Sequence, residues 1–139
     1  MFELFGFKKK TAKTKVLVVD DEPKIVQTLQ DRLEMNNFQV LAGYDGREGL
    51  DLAIEHSPDI ILLDIIMPFM DGLEMLEKLR ENPQTKNIPV IMLTARSQQS
   101  DVARAENCGI EDYIVKPFNI TELLEKIELL VEKSKATVI

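Results

Sequence analysis

Apolar residues recur along the chain in two alternating rhythms. Five short, nearly continuous runs predict buried strands: KVLVVD (15–20), FQVLAGY (38–44), DIILLD (59–64), IPVIMLT (88–94) and DYIVK (112–116). Between them the apolar positions fall three and four apart, the period of a helix with one buried face. EPKIVQTLQDRLEMNN sets Ile25, Leu29 and Leu33 on one face with Val26 beside them. Pro23 suits its first turn and Asn36-Asn37 its end. Gly46 to His56 turns Leu50, Ala53 and Ile54 inward and stops at Ser57-Pro58.

Leu73 to Glu81 predicts a short third helix and Gln98 to Asn107 a fourth. The fourth ends at Cys108-Gly109, where glycine can take a left-handed cap. Asn119, with Glu122 three residues on, caps a last helix whose apolar side is Leu123, Leu124, Ile127, Leu130 and Val131. Glu122 and Glu125 lie early in it and Lys133 and Lys135 late, as the helix dipole favours. Strict alternation of strand and helix predicts right-handed crossovers and an α/β domain whose parallel sheet is covered on both faces. The domain is expected over residues 15–134, with a basic and aromatic leader, read as flexible, at 1–14 and a short tail at 135–139.

Composition narrows the function without naming it. With 139 residues, 45% apolar and 29% charged, the chain can bury one core and is not a disordered protein. A net charge of −7 argues against direct binding to nucleic acid, whose phosphates attract basic surfaces. That charge is uneven: residues 1–15 hold five Lys against Glu3, a net +4, which leaves −11 for residues 16–139. The single cysteine, Cys108, forms no internal disulfide and reads as a small packed hydrophobe. No apolar run approaches the ~20 residues of a spanning helix, and a cytoplasmic location is expected. His56 reads as a solvated helix-end residue and the six Met residues as core filler.

The chemistry gathers where the strands end. Open α/β sheets bind ligands at the carboxyl ends of their strands, near the point where strand order reverses. The first strand delivers Asp20, Asp21 and Glu22 there, the third Asp64, the fourth Thr94, and the fifth Lys116 before Pro117. The second ends in Tyr44-Asp45-Gly46. One aspartate at a strand end is commonly turn chemistry, but all of these fall on one edge. If the first and third strands are neighbours, the three aspartates crowd together and need a cation. Mg²⁺ suits such hard oxygen ligands, and Lys116 and Thr94 would then face an anion beside it. A carboxylate nucleophile, a divalent metal and a fixed ammonium are the parts of phosphoryl transfer to aspartate.

VLVVDDEP, ILLDIIMPFMDGLEML, IPVIMLTA and DYIVKPF, in this order and spacing, resemble the receiver domain of two-component response regulators. The resemblance spans about residues 15–134. It implies a flavodoxin-like, doubly wound, five-stranded parallel sheet of order 2-1-3-4-5 with five helices. It implies Asp64 as phosphoacceptor, with Mg²⁺ on Asp21, Asp64 and the backbone carbonyl of Ile66, and Asp20 acting through a metal-bound water. Lys116 and Thr94 would each meet a phosphoryl oxygen, Lys116-Pro117 would be a cis peptide, and Tyr113 would be the switch aromatic that follows Thr94. Phe69 stands where the family often has Gly and is expected to pack in its loop rather than to dock a partner. An apolar Ile66 cannot orient water, so self-dephosphorylation should be slower than with Asn or Asp there; Arg96 flanks the same path.

The function expected is a stand-alone phosphoacceptor switch rather than an enzyme, apart from its own Mg²⁺-dependent phosphorylation and dephosphorylation. Its donor would be a sensor histidine kinase or a histidine phosphotransfer protein, and its output contact with a downstream protein. Homodimerisation on phosphorylation stays open. The alternatives are a receiver belonging to a longer regulator, a Mg²⁺-dependent phosphohydrolase, or a receiver-like module that is never phosphorylated. The leader, with Phe2, Leu4, Phe5 and Phe7 before three Lys, has contact with an anionic membrane surface as its second reading.

Overall fold

The continuous apolar runs are explained by a sheet buried on both sides. A computed structural model of the chain describes residues 13–136. The expected leader therefore lies outside the described residues over 1–12, as does the tail over 137–139. The elements run β1 (Lys15–Val19), α1 (Pro23–Met35), β2 (Gln39–Gly43), α2 (Gly46–His56), β3 (Ile60–Leu63), α3 (Gly72–Glu81), β4 (Val90–Thr94), α4 (Gln99–Asn107), β5 (Asp112–Val115) and α5 (Ile120–Ala136). All strands pair in parallel in the order β2-β1-β3-β4-β5.

Alternate residues of each strand enter different cores, as the two-residue period of a strand requires. Leu17, Val19, Ile61, Leu63 and Met92 face one core, which Ala53 of α2, Met75, Leu76 and Leu79 of α3, and Ala105 of α4 complete. Val16, Val18, Ile60, Leu62, Ile91 and Leu93 face the other, against Val26, Leu29 and Leu33 of α1 and Leu123, Leu124 and Ile127 of α5.

The strands are a residue or two shorter than the apolar runs suggest. Pro89, expected within β4, has no N–H to give, yet its carbonyl still accepts from Ile61 N at 3.0 Å. At the other end Asp20, Asp64 and Lys116 each keep a ladder bond just past the strand, to the carbonyls of Gly43 (3.1 Å), Val19 (2.9 Å) and Thr94 (2.8 Å). Their side chains are thereby fixed at the carboxyl edge by extended backbone.

Helix starts follow local chemistry. Asn119 Oδ1 accepts from Glu122 N at 3.0 Å. Asp45, just past the second strand, caps α2 through Glu48 N at 2.8 Å, and Asp71 caps α3 through Glu74 N at 2.9 Å. Gly109 does follow α4 in the left-handed region, at φ 78°.

Phe69 corrects an expectation. Its ring does not pack in the loop but is 90% exposed, and its backbone sits at φ 67°, a region where side chains are strained. Phe69→Gly is therefore expected to raise the unfolding free energy by about 1 kcal/mol. Urea titration checks this, and a loss of stability would show that the ring has packing worth keeping.

Candidate functional site

The order β2-β1-β3 puts the ends of β1 and β3 side by side, which is where the acids meet. Asp20 is 2% exposed and Asp64 4% exposed, while Asp21, next along the turn, faces solvent. Asp20, Asp21 and Asp64 each offer a carboxylate oxygen, and these oxygens lie within 4.8 Å of one another. From the far edge of the sheet Lys116 reaches back to three acids. Its Nζ donates to Asp20 Oδ2 at 2.7 Å, Glu22 Oε1 at 3.2 Å and Asp64 Oδ2 at 3.3 Å.

The two buried carboxylates are also held by backbone. Asp20 Oδ1 accepts from Glu22 N at 2.9 Å. Asp64 Oδ1 accepts from Ile65 N at 2.7 Å and Ile66 N at 3.4 Å. One oxygen of Asp64 is thus oriented by its own loop, and the other is turned toward Lys116. The Lys116-Pro117 peptide beside it is cis.

The electrostatics follow from burial among like charges. Burial holds the Asp20 carboxyl above its ordinary value; the Lys116 hydrogen bond pulls it back, and nearby Asp64 pushes it up again. Burial works against the Lys116 ammonium, but Asp20 and then Asp64 outweigh it and hold the lysine above its usual value. Four acids and one ammonium leave an excess of negative charge at a half-enclosed site. Three convergent hard oxygens with uncompensated charge are the donor set that suits Mg²⁺.

Thr94 is fully buried at the end of β4. Its Oγ1 accepts from Arg96 N at 3.3 Å, and the Tyr113 hydroxyl donates to the Arg96 carbonyl at 2.6 Å. The sequence reading missed two participants. Glu22 was counted at the strand end but not as a partner of Lys116. The Arg96–Asp101 ion pair, at 2.8 Å, was not foreseen, although an acid in the first turn of α4 and an arginine five residues before it were visible.

Residues 16–128 match the response regulator receiver domain. The chain is a member of that family. Response regulator ArlR of Staphylococcus aureus is 39% identical to this receiver over 120 residues, 86% of this chain and 53% of ArlR. The chain thus spans about half the length of the curated relatives it matches. Among solved structures, a CheY-like receiver domain protein from Methanospirillum hungatei JF-1 is similar at TM-score 0.83 and 32% identity, covering 90% of this receiver and 99% of that chain. Chemotaxis protein CheY4 of Vibrio cholerae is similar at TM-score 0.79 and 34% identity, covering 86% and 99%. The protein accordingly carries the receiver domain of two-component response regulators. Among the described residues no helix is long and apolar enough to cross a membrane.

Proposed function

We propose that Asp64 is the phosphoacceptor of this receiver and that the phosphorylated chain signals by protein contact. The observation that carries the reading is Asp64 itself: a buried carboxylate with one oxygen held by two amides and the other facing Lys116. In the transfer a carboxylate oxygen of Asp64 bonds to phosphorus as the bond from phosphorus to the donor's leaving atom breaks. Asp20, Asp21, Asp64 and the Ile66 carbonyl would hold Mg²⁺, Asp20 through water. The bound metal supplies positive charge to a phosphate approaching an acidic pocket. Lys116 neutralises the developing charge, and its bonds to Asp20 and Glu22 keep it aimed at Asp64.

The phosphoryl group adds about two negative charges, and Thr94, the hydroxyl residue at the end of β4, turns its donor toward them in this reading. Tyr113 follows Thr94, which shifts a resting population rather than creating a new fold. The donor in this reading is a histidine kinase or histidine phosphotransfer protein of the cytoplasm. Stand-alone action is part of the proposal. A native protein longer than 139 residues on an immunoblot would replace it with the receiver of a larger regulator.

The test is incubation with acetyl phosphate and Mg²⁺ followed by intact-mass measurement. The wild type should gain the mass of one phosphoryl group, and Asp64→Asn, or the wild type in excess chelator, none. A wild type that never gains it overturns the proposal.

The lifetime of the phosphoryl group follows from its surroundings. Ile66 is half exposed beside Asp64 and has no polar atom to orient water, while the Arg96 guanidinium is engaged by Asp101. Ile66→Asn should shorten the lifetime by about tenfold or more, the scale of a positioned polar group acting on water. Time-resolved loss of the phosphoryl mass measures this, and an unchanged lifetime would remove Ile66 from the account.

A further inference from the structure

Arg96 is held in three directions at once. Its backbone N–H bonds Thr94, its carbonyl receives the Tyr113 hydroxyl, and its guanidinium forms a fork on Asp101, with Nε to Oδ2 at 2.9 Å and Nη2 to Oδ1 at 3.0 Å. Asp101 is the third residue of α4 and only 7% exposed. Among the described residues it is the buried acid outside the Asp20 and Asp64 pocket. A carboxylate at that depth needs a partner, and losing one is costly, so the guanidinium is not free to swing. A planar two-bond fork also fixes direction as well as distance. Gln98, at the helix cap, makes no side-chain capping bond, so among the described residues the fork is the side-chain tie from this loop to the first turn of α4.

We propose that the Arg96–Asp101 fork is a latch that makes the Thr94 hydroxyl, the Tyr113 hydroxyl and the first turn of α4 move as one unit. Asp101 is then a positioning residue for the switch. The mechanical reason is that the N–H and C=O on either side of residue 96 are anchored to α4 through its own side chain. Thr94 cannot be drawn inward without pulling that backbone, and Tyr113 must follow the carbonyl or lose its bond. Consistent with this placement, burial raises the Tyr113 phenol, Asp101 raises it further and Arg96 opposes, so the hydroxyl stays a protonated donor at neutral pH within the field of the latch pair.

The inference takes only its trigger from the phosphorylation of Asp64, and its first test needs no phosphoryl group. In a double-mutant cycle on the unmodified full chain, Tyr113→Phe and Asp101→Asn should be non-additive by about threefold or more in the unfolding equilibrium constant. Additivity overturns the latch.

The second test compares amide chemical shifts of Ser100 to Val102 and the Tyr113 ring before and after treatment with acetyl phosphate and Mg²⁺. Asp101→Asn should gain the same phosphoryl mass as the wild type, with its phosphorylation-dependent shifts smaller by about twofold or more. Shifts equal to those of the wild type overturn the latch. Arg96→Lys keeps the charge without the fork and should behave like Asp101→Asn; it carries the same test should the asparagine variant fold poorly. If the wild type takes no phosphoryl group, the phosphoacceptor reading fails, and the cycle still decides the latch.

Discussion

Gly72→Ala is expected to unfold the receiver at a markedly lower urea concentration than the wild type, with a loss of roughly 3 kcal/mol. A Cβ at residue 72 would lie 1.9 Å from the Asp64 carbonyl oxygen, 2.8 Å from its carbon and 2.9 Å from Ile65 Cα. All three are backbone atoms, so no side chain can rotate aside. The Gly72 N–H is meanwhile bonded to the Ile65 carbonyl at 2.9 Å, which pins the two segments face to face. The start of α3 thus presses on the residue that carries the candidate nucleophile, and moving one moves the other.

Gly109→Ala is the natural contrast. Nothing lies within 4 Å of a Cβ there, and the cost is only that of φ 78°, about 1 kcal/mol. Urea midpoints with an unchanged m-value separate the two effects. Equal losses for both variants would mean that the close approach at Gly72 does not constrain the fold.

Lys116→Met is expected to cost about 3 kcal/mol at neutral pH in the presence of chelator, because removing one partner leaves buried charges uncompensated. Asp20 and Asp64 are nearly inaccessible, and Lys116 is the cation that both of them contact. The pH dependence has a definite sign. Burial already holds the Asp20 carboxyl above its usual value, so ionising it in the folded state opposes folding as pH rises through and beyond 3.8. Lys116 counters that rise, and its loss deepens it. The deficit of Lys116→Met should therefore be smallest below pH 3.8 and grow toward neutrality.

Mg²⁺ should return part of the loss, since a cation that binds only the folded pocket stabilises it by mass action. Thermal melts across pH, with chelator and with Mg²⁺, give the whole pattern. A deficit that is flat with pH would show that Lys116 contributes through packing rather than charge.

The chain's pattern of apolar residues carried the fold a long way. Every strand and helix could be placed within a residue or two, because helix and strand periods, caps such as Asn119 and stops such as Ser57-Pro58 act over a few neighbours. The same local reading put Asp20, Asp64, Thr94 and Lys116 on one edge of a sheet. The order of the strands did not come from the pattern; it came from the family resemblance, since identical apolar runs would serve either side of β1.

Tertiary structure alone decided the rest. Lys116 meets Asp20, Glu22 and Asp64 across 96, 94 and 52 residues of sequence, and only the sheet order sets which of them it can reach. Asp45 closes the second apolar run in sequence, and only the structure shows its carboxylate capping α2. The apolar pattern starts the third helix at Leu73 and assigns nothing to Gly72, whose necessity comes from the Asp64 backbone packed against it. Phe69 was expected to pack in its loop rather than to dock a partner, yet its ring is exposed on a left-handed backbone. Short-range preferences determined which elements form and what each carries at its end. Close packing between distant segments determined which of those groups touch, and on that contact the charge, geometry and chemistry of the site depend.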